Sequence, residues 1–135
     1  MSDAKRDMKR VTGFGGLFFK SKDPDALYAW YHKHLGIKRA SAEEGVIFQW
    51  RDTAHPQKTG FTVWSIFPDD TNYFEPSHSA FMINFRVENL DALLTALREE
   101  GVWVDPKVEK YEYGKFGWIM DPEGNRIELW EPPDK

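Results

Sequence analysis

Glu128 is the residue best placed to do chemistry in this 135-residue chain. It sits in Arg126-Ile127-Glu128-Leu129-Trp130, an alternating run that reads as a strand. That pattern puts Glu128 on the same face as Arg126 and Trp130, with Ile127 and Leu129 on the other. A carboxylate among aromatic walls acquires a raised pKa and acts as a general base, or it grips a cationic ligand. The competing reading is a fold remnant paired with Arg126, Lys20 or Arg86. The four histidines offer less. His32 and His34 are two apart on a helical stretch and face different directions, and His55 falls in a polar loop. His78 precedes the run carrying Met82 with the same side-chain parity, so a divalent ion would need His78 to swing toward Glu128. The chain has no cysteine, which excludes disulfides, thiolate nucleophiles and Cys-based zinc sites. No Ser-His-Asp order falls on plausible elements, and Gly13-Phe14-Gly15-Gly16 leads into no helix that would cradle a phosphate. Asp69-Asp70 reads as a solvated turn.

These residues need elements to position them. The stretch around Gly16–Phe19 reads as a strand, and Asp23-Pro24 opens a helix, with Asp23 as N-cap and Pro24 at the first helical position. Leu27, Trp30, Tyr31 and Leu35 form its apolar face, and Gly36 supplies the left-handed cap. Extended runs come next near Arg39–Ala40, Val46–Arg51 and Gly60–Phe67. The pattern then recurs: a strand over Ala80–Val87, an N-cap at Asn89, a stripe of Leu90, Leu93, Leu94 and Leu97 ending at Gly101. Further extended runs are expected at Val102–Val104, Phe116–Met120 and Asn125–Glu131. Asp121-Pro122-Glu123-Gly124 makes the turn between the last two.

The recurrence is an internal repeat. Asp25-Ala26-Leu27 matches Asp91-Ala92-Leu93, an offset of 91 − 25 = 66. The same offset sets Gly16 on Met82, Thr62 on Glu128 and Trp64 on Trp130. The expected fold is therefore α+β: two pseudo-symmetric βαβββ modules, about 11–70 and 78–132, pairing into a curved, barrel-like mixed sheet. They form a single domain over 11–132 behind a flexible tail of residues 1–10. Each half is too small to cover both sheet faces, so the halves enclose a cleft. Parity assigns Gly16, Phe18, Thr62, Trp64, Met82, Asn84, Trp118 and Trp130 to it. A lining of rings, an amide and a few charges suits a small, partly planar organic molecule; the same rings also serve to close a core.

Composition narrows the partners. Net charge is −4, with Lys and Arg scattered, so the basic face that nucleic acid requires is absent. The first ten residues lack a secretory apolar region, and no apolar stretch is long enough for a bilayer, so a cytoplasmic location is expected.

Two stretches carry a family resemblance. Gly16-Leu17-Phe18-Phe19-Lys20-Ser21-Lys22-Asp23-Pro24 through Leu35-Gly36 is similar to the first strand and helix of the vicinal-oxygen-chelate superfamily of glyoxalases, bleomycin-resistance proteins and dioxygenases. Phe116-Gly117-Trp118-Ile119-Met120-Asp121-Pro122-Glu123-Gly124-Asn125-Arg126-Ile127-Glu128-Leu129 resembles its closing hairpin. The resemblance implies the paired-module fold, a homodimer, and four metal-ligand positions that fall here on Gly16, Thr62, Met82 and Glu128. Only Glu128 is a usual ligand for a hard divalent ion. The resemblance thus implies a glyoxalase-like protein, possessing or lacking lyase activity, that handles a small organic metabolite in the cleft without the usual metal. The alternative is a bleomycin-resistance-type protein that sequesters a molecule with no catalysis.

Overall fold

In a computed structural model, residues 9–133 are described. Among them are seven strands and two helices: β1 (Val11–Ser21), α1 (Pro24–Leu35), β2 (Val46–Arg51), β3 (Thr59–Pro68), β4 (Phe81–Val87), α2 (Leu90–Glu99), β5 (Glu109–Tyr111), β6 (Gly114–Met120) and β7 (Arg126–Glu131). The strands form one mixed sheet in the order β2-β3-β1-β4-β7-β6-β5, open at both edges. The two first strands, β1 and β4, lie antiparallel at its centre. Each then pairs in parallel with the last strand of its own module, β3 or β7. The fold is α+β, as the repeat predicts.

The caps form as the sequence dictates. Asp23 accepts from the Ala26 N–H at 3.1 Å, and Asn89 accepts from Ala92 at 3.1 Å. Gly36 closes α1 at φ 71°, donating its N–H to the His32 carbonyl at 3.0 Å. The helices cover one face of the sheet. Against α2 packs a cluster of Val87, Leu90, Leu93, Leu94 and Leu129. Against α1 packs a smaller one, Tyr28, Val46 and Ile66.

Three expectations fail locally. The run at Arg39–Ala40 is a loop, closed by a 2.8 Å bond from the Ala40 N–H to the Gly45 carbonyl. Arg39 explains it: its guanidinium bonds Asp25 and the Ala42 carbonyl, each at 2.8 Å, and lies 3.8 Å over the Tyr28 ring. Module one is thus βαββ, and only module two completes βαβββ. There the expected strand at Val102–Val104 shrinks to one bridge, Val104 to Ile119, and β5 forms further on. The apolar face of α1 is also rotated from the predicted stripe. Trp30 and Leu35 are exposed, and Tyr28 is the residue inside, its hydroxyl accepting the Ile66 N–H at 2.7 Å.

Candidate functional site

The face of the sheet away from the helices carries a third cluster, Phe18, Phe74, Met82 and Trp118. Beside it opens a cavity of about 390 Å³. Its walls come from β1 and β3 (Phe18, Val63, Ser65, Phe67), from Tyr73 in the loop after β3, and from Tyr111, Tyr113, Phe116 and Trp130 of module two. Glu128 and Asn84 make its floor, paired side by side in the parallel β4–β7 register.

Glu128 is 2% exposed and faces no cation directly. One carboxylate oxygen accepts from Asn84 Nδ2 at 2.5 Å. The other accepts from Trp118 Nε1 at 3.0 Å and from the Tyr73 hydroxyl in a short bond. Burial pushes the carboxyl above its ordinary range; the hydrogen bonds from Tyr73, Asn84 and Trp118 and the charge of Arg126 pull the other way without reversing it. Burial, reinforced by the neighbouring Glu128, also drives the Tyr73 hydroxyl far up. Tyr73 therefore stays protonated and acts as a donor.

The expected partners of Glu128 are engaged elsewhere. Arg126 bonds Asp105 at 3.2 Å and lies over the Trp118 ring. Lys20 sits over Phe74. Arg86 is held between Trp50 and Trp130, 5.2 and 5.0 Å from their ring centres. His78 is exposed, on a segment tied to the 124–125 turn by bonds from Ser77 to the Gly124 carbonyl and from Ser79 to Asn125. The structure does not bring it to Glu128.

Of the cleft residues assigned by parity, Phe18, Asn84, Trp130 and Glu128 line the cavity together. Met82 and Trp118 lie beneath it, 0% and 1% exposed, as packing. Three positions differ. A bulge between Phe14 and Gly16 turns Gly15, not Gly16, to the cavity. A Cβ on Gly16 would lie 2.2 Å from the Val63 carbonyl oxygen, so this glycine serves close strand approach. Trp64 packs on the helix side, its ring 4.7 Å from Tyr31 and 5.4 Å from Phe19. Thr62 is tied within the sheet, accepting from Trp50 Nε1 at 2.8 Å and donating to the Phe14 carbonyl at 2.7 Å.

The register supplies the reason. Pairing of Gly16 with Asn84 and of Phe18 with Met82 makes Phe18 the counterpart of Asn84, the offset of 66. Phe18 pairs with Ser65 and Asn84 with Glu128, so the counterpart of Glu128 is Ser65, at 128 − 65 = 63. The offsets differ by an odd number, and an odd slip moves a strand's side chains to the opposite face. Tyr73, Ser65, Phe67, Glu109, Tyr111 and Tyr113 went unassigned because they lie in loops, on the unforeseen strand or on that slipped register. The sequence did carry one signal for the loop, the adjacent rings Tyr73-Phe74 in an otherwise polar stretch.

A divalent ion does not fit this donor set. Among the described residues no three His, Cys, Asp or Glu side chains gather. The positions paired with Glu128 hold Asn84 and Trp118, the equivalent positions of module one hold Phe18 and Ser65, and three neutral donors aim hydrogens at the Glu128 oxygens.

Comparison with known proteins agrees with this architecture. The model of the Glyoxalase/Bleomycin resistance protein/Dioxygenase superfamily matches residues 17–129, and the chain belongs to that superfamily. Methylmalonyl-CoA epimerase from Mycobacterium tuberculosis is 20% identical, with 91% of this chain and 89% of that one covered and a TM-score of 0.57. A variant of the Streptomyces coelicolor methylmalonyl-CoA epimerase, in complex with 2-nitronate-propionyl-CoA, is 17% identical, covering 92% and 96%, with a TM-score of 0.65. The Mn(II)-bound glyoxalase from Novosphingobium aromaticivorans is 21% identical, covering 92% of this chain and 40% of that one, with a TM-score of 0.60. At these identities the likeness is one of fold. A search of curated proteins gives no match. Among the described residues no helix is long and apolar enough to cross a membrane.

Proposed function

We propose that the chain binds a small, largely apolar organic molecule in the cavity between its modules, without a divalent metal and with Glu128 as the polar floor. The observation that carries this reading is the buried carboxylate held by three neutral donors beneath aromatic walls. Such a pocket combines much apolar contact with one convergent polar group, the usual make-up of a small-molecule site. A titration that follows tryptophan fluorescence against a panel of small aromatic compounds, with and without EDTA, tests it. Binding is expected to survive chelation, and Glu128→Gln should weaken it by about 1–3 kcal/mol. Binding that vanishes with EDTA and returns with a divalent ion sinks the metal-free reading.

A second reading is favoured by the elevated Glu128 carboxyl and the Tyr73 hydroxyl fixed on it. A carboxylate whose proton affinity lies above the ordinary range is a better base, so Glu128 would remove a proton from a bound carbon acid in a lyase-type reaction, with Tyr73 holding it in place. Turnover of a hemithioacetal panel by wild type and its loss in Glu128→Gln separate this from plain sequestration of the bleomycin-resistance kind. Both readings place the protein in the cytoplasm as a homodimer. The exposed Phe14, Ile47, Phe48 and Phe61 give apolar surface for self-association, and light scattering across a dilution series measures it.

A further inference from the structure

We propose that the cavity selects a planar organic cation carrying N–H donors, and rejects anions of the same shape. This rests on the reading of the cavity as a ligand site and specifies what it takes. The charged residues of its lining are Glu109 and Glu128; among the described residues no Lys, Arg or His lines it. Of the cations around it, Lys107 is paired with Glu109 at 2.8 Å and Arg126 with Asp105 at 3.2 Å, while Arg86 lies over the Trp50 and Trp130 rings without lining the cavity.

The donors of the site are committed too. Tyr73 Oη, Asn84 Nδ2 and Trp118 Nε1 all point at Glu128. Trp130 Nε1 donates to the Tyr113 carbonyl at 2.8 Å, and Tyr111 Oη to Glu109 at 2.9 Å. A ligand carboxylate or phosphate would find the Ser65 and Tyr113 hydroxyls and the second Asn84 N–H to meet it, beside the carboxylates of Glu109 and Glu128. What the cavity offers instead is acceptors and ring faces. Phe67 and Tyr73 are stacked at 7° between planes, Tyr111 and Tyr113 at 10°, and Phe116 and Trp130 at 5°. The negative faces of such rings attract a cation, more strongly once water is displaced, and a flat ligand presents the largest area to them. An amidinium, a guanidinium or a protonated arylmethylamine meets all three conditions.

The test uses three naphthalenes of one shape: 2-naphthylmethylamine, 2-naphthalenemethanol and 2-naphthoate, titrated calorimetrically into the full-length protein at neutral pH and low salt. The amine is expected to bind about tenfold tighter than the alcohol, with naphthoate weakest, as a desolvated cation–π and carboxylate contact predicts. Glu128→Gln should collapse the amine-to-alcohol ratio toward one. Glu109→Gln, at the rim and in no core cluster, should lower that ratio about two- to threefold, as expected of a partly screened charge. Naphthoate binding as tightly as the amine, or a ratio unchanged in both variants, overturns the charge selection and leaves the cavity as a binding site. Failure of all three probes to bind at millimolar concentration overturns the cavity reading along with it.

Discussion

The two modules share a strand–helix frame and a parallel pairing of first and last strands, yet nearly all the polar side chains lining the cavity sit in the second. At paired positions module one places Phe18 and Ser65 where module two places Asn84 and Glu128. The first contributes walls; the second contributes the buried acid, its amide partner and the indole behind it. The helices differ in the same sense. α2 buries Leu90, Leu93, Leu94 and Ala96, whereas α1 buries only Tyr28 and leaves Trp30 and Leu35 in water. The half that holds the charged floor is also the half with the larger apolar anchor. The repeated scaffold therefore differs in polarity at residues facing the cleft and in packing at residues facing the helices, while caps and central strands stay alike.

That asymmetry can be broken by substitution. The largest effect is expected for Leu94→Ala, about 2–5 kcal/mol of unfolding free energy for a large-to-small change in a closed core. The half-buried Leu27→Ala in α1 should cost about 1 kcal/mol by lost apolar burial. Urea unfolding measures both, and equal losses would deny that module two is the better anchored. Next comes the pH response of Glu128. Its folded-state pKa lies above the unfolded one, so the folded protein holds the proton more tightly and stability falls as pH rises through that interval, levelling above it. Glu128→Gln should flatten that decline, whereas Ser65→Ala at the paired position should leave it intact. Unfolding curves taken from pH 4 to pH 8 read the difference. The smallest effects test where the modules agree: Asp23→Ala and Asn89→Ala should each cost about 1 kcal/mol through loss of one cap.

Much of this was legible in the residues, for identifiable reasons. Caps, helices and central strands obey local chemistry: Asp23-Pro24, Asn89, Gly36 and the Leu90–Leu97 stripe act within a turn or two of themselves. Glu128 was identifiable because alternation along β7 is unbroken, and its neighbours Asn84 and Phe18 lie on equally regular stretches of β4 and β1. Misplaced residues trace to features that a constant offset cannot register. The bulge at Phe14–Gly16 exchanged Gly15 for Gly16. The odd slip between modules put Trp64 on the wrong face and hid Ser65. Arg39, by bonding Asp25 and the Ala42 carbonyl, holds a loop where a strand was expected. Tyr73 had no periodicity to reveal it at all.

Tyr73 belongs to the connection between the two halves, residues 69–80, and not to either repeated unit. The joining segment is consequently part of the cavity lining. Two identical half-proteins assembled symmetrically would lack this hydroxyl, so here the tether supplies one of the three donors that hold the Glu128 carboxylate. Chain ends relocated by circular permutation into the 52–58 hairpin would leave the tether whole, whereas ends opened between Asn72 and Tyr73 would cut the site while sparing every strand of the sheet.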